Sequence, residues 1–255
     1  MGKVKTAIPG LDELIEGGYV ENDVILVTGG PGSGKTTFGV QYLVEGARTF
    51  NEPGVLVCME ETPSRIIRDM WRFGWEIEKL ISQKKLKIIY ANPFTYTRFV
   101  KTLQEKPGNV TAARKNIGDI FEQIQIEVEA IQAKRIFIDS ITSLKISPDQ
   151  SEVRHTISEF IKNLEYLECT TLLSSEIQGE QSFNVEEYLS SGVIRLHVFR
   201  VEGNRVKAIE ILKMRGVKHN ETLHPYEIRE RGIVVYPAEA VMNDEISLFD
   251  AARKK

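Results

Sequence analysis

The chain has 255 residues, with 33 basic against 36 acidic side chains and a formal net charge of −3 at pH 7. That length suits one large or two small domains, and a composition of 42% hydrophobic and 27% charged residues excludes a disordered or fibrous chain. No apolar run approaches the ~20 residues that cross a bilayer, the lysines at Lys3 and Lys5 lead into no secretory signal, and the near-neutral balance removes the broad electrostatic case for nucleic acid.

Short β-branched runs alternate with longer amphipathic ones. Val24-Ile25-Leu26-Val27 reads as a buried strand bounded by Asn22-Asp23 and Gly29-Gly30, and Lys35 to Ala47 as a helix. Val55 to Met59 is a second strand. Pro63 to Phe73 is a helix with Thr62 as cap and proline in its first turn. Leu86 to Tyr90 is a third strand. Lys101 to Ile117 is polar, contains Pro107-Gly108, and reads as a surface excursion. Ile117 to Ala133 is a helix with Ile117, Ile120, Phe121, Ile124 and Val128 on one face. Arg135 to Asp139 is a fourth strand, Val153 to Leu167 a helix, and Thr170 to Leu173 a fifth strand. Strands apolar on both faces and separated by helices predict an α/β fold with a mostly parallel twisted sheet.

The pattern changes after Gly192. Val193 to Val201 and Val206 to Met214 flank Glu202-Gly203-Asn204-Arg205, an antiparallel hairpin signal, and Ile233 to Tyr236 is a last edge strand. With no linker and no repeat, residues 1–245 read as one domain and 246–255 as a charged tail. Cys58 and Cys169 sit in apolar runs and read as buried thiols in a reducing, cytoplasmic compartment. Charge is unevenly spread. Met1 to Glu61 holds 4 basic and 9 acidic residues, a net of −5, and Val193 to His219 holds 7 basic and 2 acidic, a net of +5.

The strongest motif is Gly29-Gly30-Pro31-Gly32-Ser33-Gly34-Lys35-Thr36-Thr37, a phosphate-binding loop between a buried strand and a helix. Glycines let backbone N–H groups turn inward around phosphates, and the helix N-terminus adds positive partial charge. Lys35 is expected to reach the β- and γ-phosphates of a nucleoside triphosphate, and the Thr36 hydroxyl to ligate Mg²⁺. Asp139 ends the apolar strand Ile136-Phe137-Ile138 and can hold the same Mg²⁺ through water. Glu60-Glu61 follows the second strand, where a carboxylate can polarise the water that attacks the γ-phosphate. Adjacent glutamates point opposite ways, so one faces the nucleotide and the other braces it or meets a neighbour.

These residues carry a resemblance. Thr6-Ala7-Ile8-Pro9-Gly10-Leu11-Asp12-Glu13-Leu14 with Gly17-Gly18, the phosphate loop, the glutamate pair, Arg135 to Leu144 and Leu212-Lys213-Met214-Arg215-Gly216-Val217-Lys218-His219 resemble the KaiC-like branch of the RecA superfamily of ATPases. The match runs from about Thr6 to Pro237, and the form resembled is the single-domain archaeal type. The resemblance implies a RecA-like core assembling head-to-tail, usually as a hexameric ring, with ATP and Mg²⁺ between subunits. It implies that Glu60 and Glu61 form the catalytic pair, and that Lys213, Arg215 and His219 serve the neighbouring subunit's ATP. Where phosphorylated members carry adjacent Ser and Thr, this sequence reads Glu186-Glu187-Tyr188, with Ser190-Ser191 beyond, which implies hydrolysis without autophosphorylation.

Three functions compete. One is a slow Mg²⁺-dependent ATPase acting on its own ring or a protein client. A second is a RecA-like DNA-binding protein, whose contacts come from loops near Lys145 to Glu152 and Gln178 to Glu187. The second loop has Glu180, Glu186 and Glu187 without Lys or Arg, so nucleic acid is disfavoured. A third is an assembly switch that binds ATP with negligible turnover. The acidic N-terminal part and the basic hairpin suit a chain whose first partner is another copy of itself.

Overall fold

The structure is a computed structural model that describes residues 2–93, 110–145, 147, 149–177, 185–201 and 204–241, with the side chains of 110–116 and 201 excepted. Two short strands, β1 (Lys3–Val4) and β2 (Tyr19–Val20), pair antiparallel around helix α1 (Leu11–Leu14). The main chain then alternates through β3 (Val24–Gly29), α2 (Lys35–Thr49), β4 (Gly54–Cys58), α3 (Pro63–Met70), α4 (Ile77–Ser82) and β5 (Leu86–Tyr90). It continues with α5 (Val110–Ile131), β6 (Arg135–Asp139), α6 (Gln150–Glu165), β7 (Thr170–Glu176) and α7 (Val185–Leu189). Four strands finish it: β8 (Gly192–Val201), β9 (Asn204–Met214), β10 (His224–Arg229) and β11 (Gly232–Val235).

Nine strands form one sheet in the order β11-β10-β9-β8-β3-β7-β6-β4-β5. From β8 through β5 every pairing is parallel, whereas β9, β10 and β11 each run antiparallel to the strand before. This is the predicted architecture. Alternate side chains feed two cores: Ile25, Val27, Leu56 and Phe137 pack under α2, α3 and α4, while Val24, Leu26, Val57 and Ile138 pack under α5 and α6. Burial on both faces is why β3 and β4 read as unbroken apolar runs. Helix α2 lies close to the sheet because Gly39 and Gly46 face it. A Cβ at either would overlap the Phe137 ring or the Arg135 side chain.

Several boundaries differ from expectation. Helix α5 begins at Val110, because Ala112, Ala113, Arg114 and Lys115 are strong helix formers that extend it into the polar stretch. The expected excursion otherwise covers residues outside the described ones, as do the hairpin turn at 202–203 and the tail at 246–255. Thr62 precedes α3 in extended conformation, but its side chain makes no capping bond to the helix; Thr62 Oγ1 meets Ser64 Oγ at 3.3 Å instead. Strand β7 runs three residues beyond Leu173, and β10 was not anticipated. Cys58 and Cys169 are buried and unpaired, and burial pushes their thiols up to about 12 and about 11. No helix among the described residues is long and apolar enough to cross a membrane.

Candidate functional site

Strand β3 ends at Gly29, and the chain turns through Gly32 (φ +74°) and Gly34 (φ +98°) into α2. A Cβ at Gly32 would meet nothing within 4 Å, so the left-handed backbone, not crowding, favours glycine there. Lys35 Nζ donates to Gly29 O at 2.8 Å and to Gly30 O at 3.4 Å, bridging the mouth of the loop. Burial lowers the pKa of this ammonium, and Glu176, Asp139 and Glu60 act in the opposite direction. A half-buried cation thus faces three carboxylates at the carboxyl edge of a parallel sheet, the edge where ligands of open α/β sheets bind.

Thr36 Oγ1 donates to Asp139 Oδ2 at 2.6 Å, and Ser174 Oγ donates to Asp139 Oδ1. Burial raises the Asp139 pKa, while these two hydroxyls pull it down. A hydroxyl and a carboxylate in contact are the hard oxygen donors that Mg²⁺ takes alongside water and phosphate. Among the described residues no group of three or more His, Cys, Asp or Glu converges on a metal. Ser33 Oγ, inside the loop, is buried with no hydrogen-bond partner among the described residues.

The glutamate pair divides. Glu60 Oε1 accepts from Ser140 Oγ at 2.8 Å and from Ser143 Oγ at 3.1 Å, which aims the carboxyl group toward the end of β6. Glu61 turns instead to Arg65 Nε at 3.6 Å, half exposed. Lys35, Thr36, Asp139 and Glu60 are therefore brought together, with Glu61 at their margin.

Lys213, Arg215 and His219 are not with them. Lys213 lies opposite Val193, which sits beside Leu26; Arg215 N donates to Ser191 O, and Ser191 N to Val24 O. The level of Arg215 is thus five residues back along β3 from Gly29, roughly 16 Å at 3.3 Å per residue. Lys213 Nζ donates to Glu187 O at 2.7 Å and Tyr188 O at 3.3 Å, and Arg215 Nη2 to Tyr188 O at 3.3 Å. Both cations reach the same carbonyl at the end of α7, although only Lys213 lies on β9, which ends at Met214, and Arg215 is in the turn that follows. His219 Nδ1 lies 3.4 Å from Asn220 O, half-buried beyond them.

The structure adds residues that sequence reasoning passed over. Glu176 is paired with Gly29 across the β3–β7 ladder, and Ser174 holds Asp139; both lie on the polar end of β7, beyond the Leu173 at which the expected strand stops. The rule that ligands sit at strand carboxyl ends was the available signal for them. Ser140 and Ser143 orient Glu60. Lys207 Nζ donates to Gly32 O at the tip of the loop, and Tyr226 Oη donates to Ser33 O. No local pattern marks these last two, because they arrive from β9 and β10.

A family model described as "ATPase: KaiC" matches residues 4–240. A UPF0273 protein of Methanocaldococcus jannaschii is 38% identical over 240 residues, covering 93% of this chain and 97% of that protein. The circadian clock oscillator protein KaiC of Synechococcus elongatus is 32% identical over 246 residues, covering 94% of this chain but 45% of the clock protein. The crystal structure of a KaiC-like protein from Pyrococcus horikoshii superposes with a TM-score of 0.78 at 34% identity, covering 92% of this chain and 99% of that one. With its phosphate loop, its parallel sheet and relatives matched along nearly its whole length, the chain belongs to the KaiC-like family of ATPases.

Proposed function

We propose that the protein binds ATP with Mg²⁺ on the loop from Gly29 to Thr37 and hydrolyses it slowly, as a head-to-tail ring, a hexamer, with nucleotide at each subunit interface. The observation that carries this reading is the separation of the two charged groups. Lys35, Thr36, Asp139 and Glu60 occupy one end of the sheet, and Lys213 and Arg215 lie level with positions three and five residues back along β3, roughly 10 and 16 Å at 3.3 Å per residue. A protomer cannot bring both to one γ-phosphate, whereas head-to-tail neighbours can.

In this reading Lys35 leaves the loop carbonyls for the β- and γ-phosphates, and Thr36 and Asp139 would hold Mg²⁺. When bound, the ion neutralises phosphate charge. Glu60, its carboxyl group oriented by Ser140 and Ser143, takes the proton of the attacking water. Glu61 supports that group from the Arg65 side. Lys213 and Arg215 of the neighbour neutralise charge as the phosphoryl group departs, with His219 beside them. Residues 1–245 act as one ATPase domain with a tail at 246–255, and the two protonated, buried thiols suit the cytoplasm.

DNA binding is the weaker reading. Beside the loop where a RecA-like protein holds DNA, Lys145 and Arg195 are taken up by Glu186 and Glu187. Absence of salt-dependent single-strand binding at low salt is the expected result. An assembly switch without turnover is separated by phosphate release measured beside light scattering.

Mixed rings test the main proposal. Lys35→Ala and Lys213→Ala are each expected to lose ATPase activity, and mixing them is expected to restore part of it at interfaces joining an intact loop to intact cations. Failure to recover overturns the shared site.

A further inference from the structure

Glu186 is the one fully buried carboxylate residue among the described residues, and nothing in the proposed hydrolysis uses it. Its Oε1 meets Lys145 Nζ and accepts from Ser175 Oγ at 2.6 Å, while Oε2 is buried without a hydrogen-bond partner among the described residues. A carboxylate with one oxygen unpaired is a costly way to seat a helix that an apolar residue would seat as well. Its placement suggests what it is for. Lys145 follows directly on the turn that starts from Asp139 and Ser140, the residues beside Mg²⁺ and Glu60, and Ser175 adjoins Ser174 on β7.

On the other side of α7, Glu187 is held by Arg195 at 2.8 Å from β8. The helix is thus pinned from two directions, and the atoms fixed by that pinning are the carbonyls of Glu187 and Tyr188. Those are the acceptors of Lys213 and Arg215.

We infer that Glu186, with Lys145 and Ser175, is a positioning residue for the trans-acting cations: it ties α7 to the protomer's own nucleotide-binding edge and so sets where Lys213 and Arg215 are presented to the next subunit. The inference rests on the shared-site reading above. It assigns Glu186 to the side of the protomer that gives cations to the neighbour, not to its own catalysis, and it links one nucleotide site to the next through a single short helix. A mispositioned charge loses transition-state stabilisation steeply, so the effect falls on kcat rather than on ATP binding.

Glu186→Gln keeps the volume and an acceptor for Ser175 but loses the charge on Lys145. It is expected to lower kcat about tenfold with KM for ATP within about twofold of wild type, with thermal unfolding showing that it folds. Mixed with Lys35→Ala, which donates intact cations, its activity recovers; mixed with Lys213→Ala, which needs cations from it, activity does not. Unchanged kcat, recovery with both partners, or recovery only with Lys213→Ala overturns the assignment while leaving the shared site standing. Failure of the Lys35→Ala and Lys213→Ala control mixture overturns both. Should Glu186→Gln fail to fold, Ser175→Ala, which removes one hydrogen bond and keeps the ion pair, runs the same mixtures with an expected loss of about threefold.

Discussion

Neighbouring residues of the same type do different jobs here. Glu60 accepts two serine hydroxyls and faces Lys35, whereas Glu61 pairs with Arg65 at the surface. Glu60→Gln is therefore expected to slow phosphate release by about 10² to 10⁴, the range of a lost general base. Glu61→Gln should cost less than tenfold; equal losses would show that the two carboxylates act as a unit. On β8 and β9, His197 Nε2 and Glu210 Oε2 lie 2.8 Å apart, and the hydrogen bond to His197 holds the Glu210 carboxyl below its ordinary pKa. A depressed carboxylate adds stability above its unfolded pKa, and that contribution is lost as pH falls through the folded value. His197→Ala should thus be less stable than wild type in urea at mildly acidic pH. The difference should vanish below the carboxylate range.

At the scale of elements, α2 packs closely against β6. Gly39→Ala would drive a methyl group into Phe137 and is expected to cost about 1–3 kcal/mol in urea unfolding. If it costs nothing, α2 has room to lift. Periodicity made β3, β4, β6 and α6 legible, because each buries a continuous apolar run or a single stripe, whereas α2, buried nearly all round from Thr37 to Val44, was legible from the phosphate loop that opens it. It missed β10 (His224–Arg229), where Pro225 and the charges of Glu227 and Arg229 hide a strand paired on both sides, and α4, which is six residues long. The polar end of β7 hid for another reason. Ser174, Ser175 and Glu176 are spent on Asp139, Glu186 and the phosphate loop rather than on the core, so their pattern follows the site and not the strand. The loop, Asp139 and Glu60 could be read locally; Lys207, Tyr226 and the α7 anchor depend on strands meeting far along the chain.

For the whole molecule, the uneven charge is only partly spatial. Glu60 and Glu61 of the acidic N-terminal part lie beside the loop and Lys213 and Arg215 of the basic stretch lie back along the sheet, while Glu16 accepts from Lys218 N within the protomer and Lys207 reaches the loop at Gly32. In the proposed head-to-tail ring, Glu60 and Glu61 of one subunit would face Lys213 and Arg215 of the next across a polyanionic nucleotide. Light scattering is expected to show a several-fold rise in mass with ATP and Mg²⁺ at micromolar protein, and Lys213→Ala with Arg215→Ala to reduce it. A monomer under those conditions would rule the ring out.

Strand β8 joins the two ends. It pairs with β3 from Ile25 to Gly29 on one side and carries β9 on the other, and Lys207 ties that ribbon to the loop at Gly32. In the proposed ring each subunit would therefore work as a ruler of fixed length between the nucleotide it holds and the one it serves. The span is written in ladder hydrogen bonds, so it does not stretch. Any change of state around such a ring has to be a tilt of whole subunits, and the backbone amides of β3 and β8 should exchange with solvent only when the entire protein unfolds.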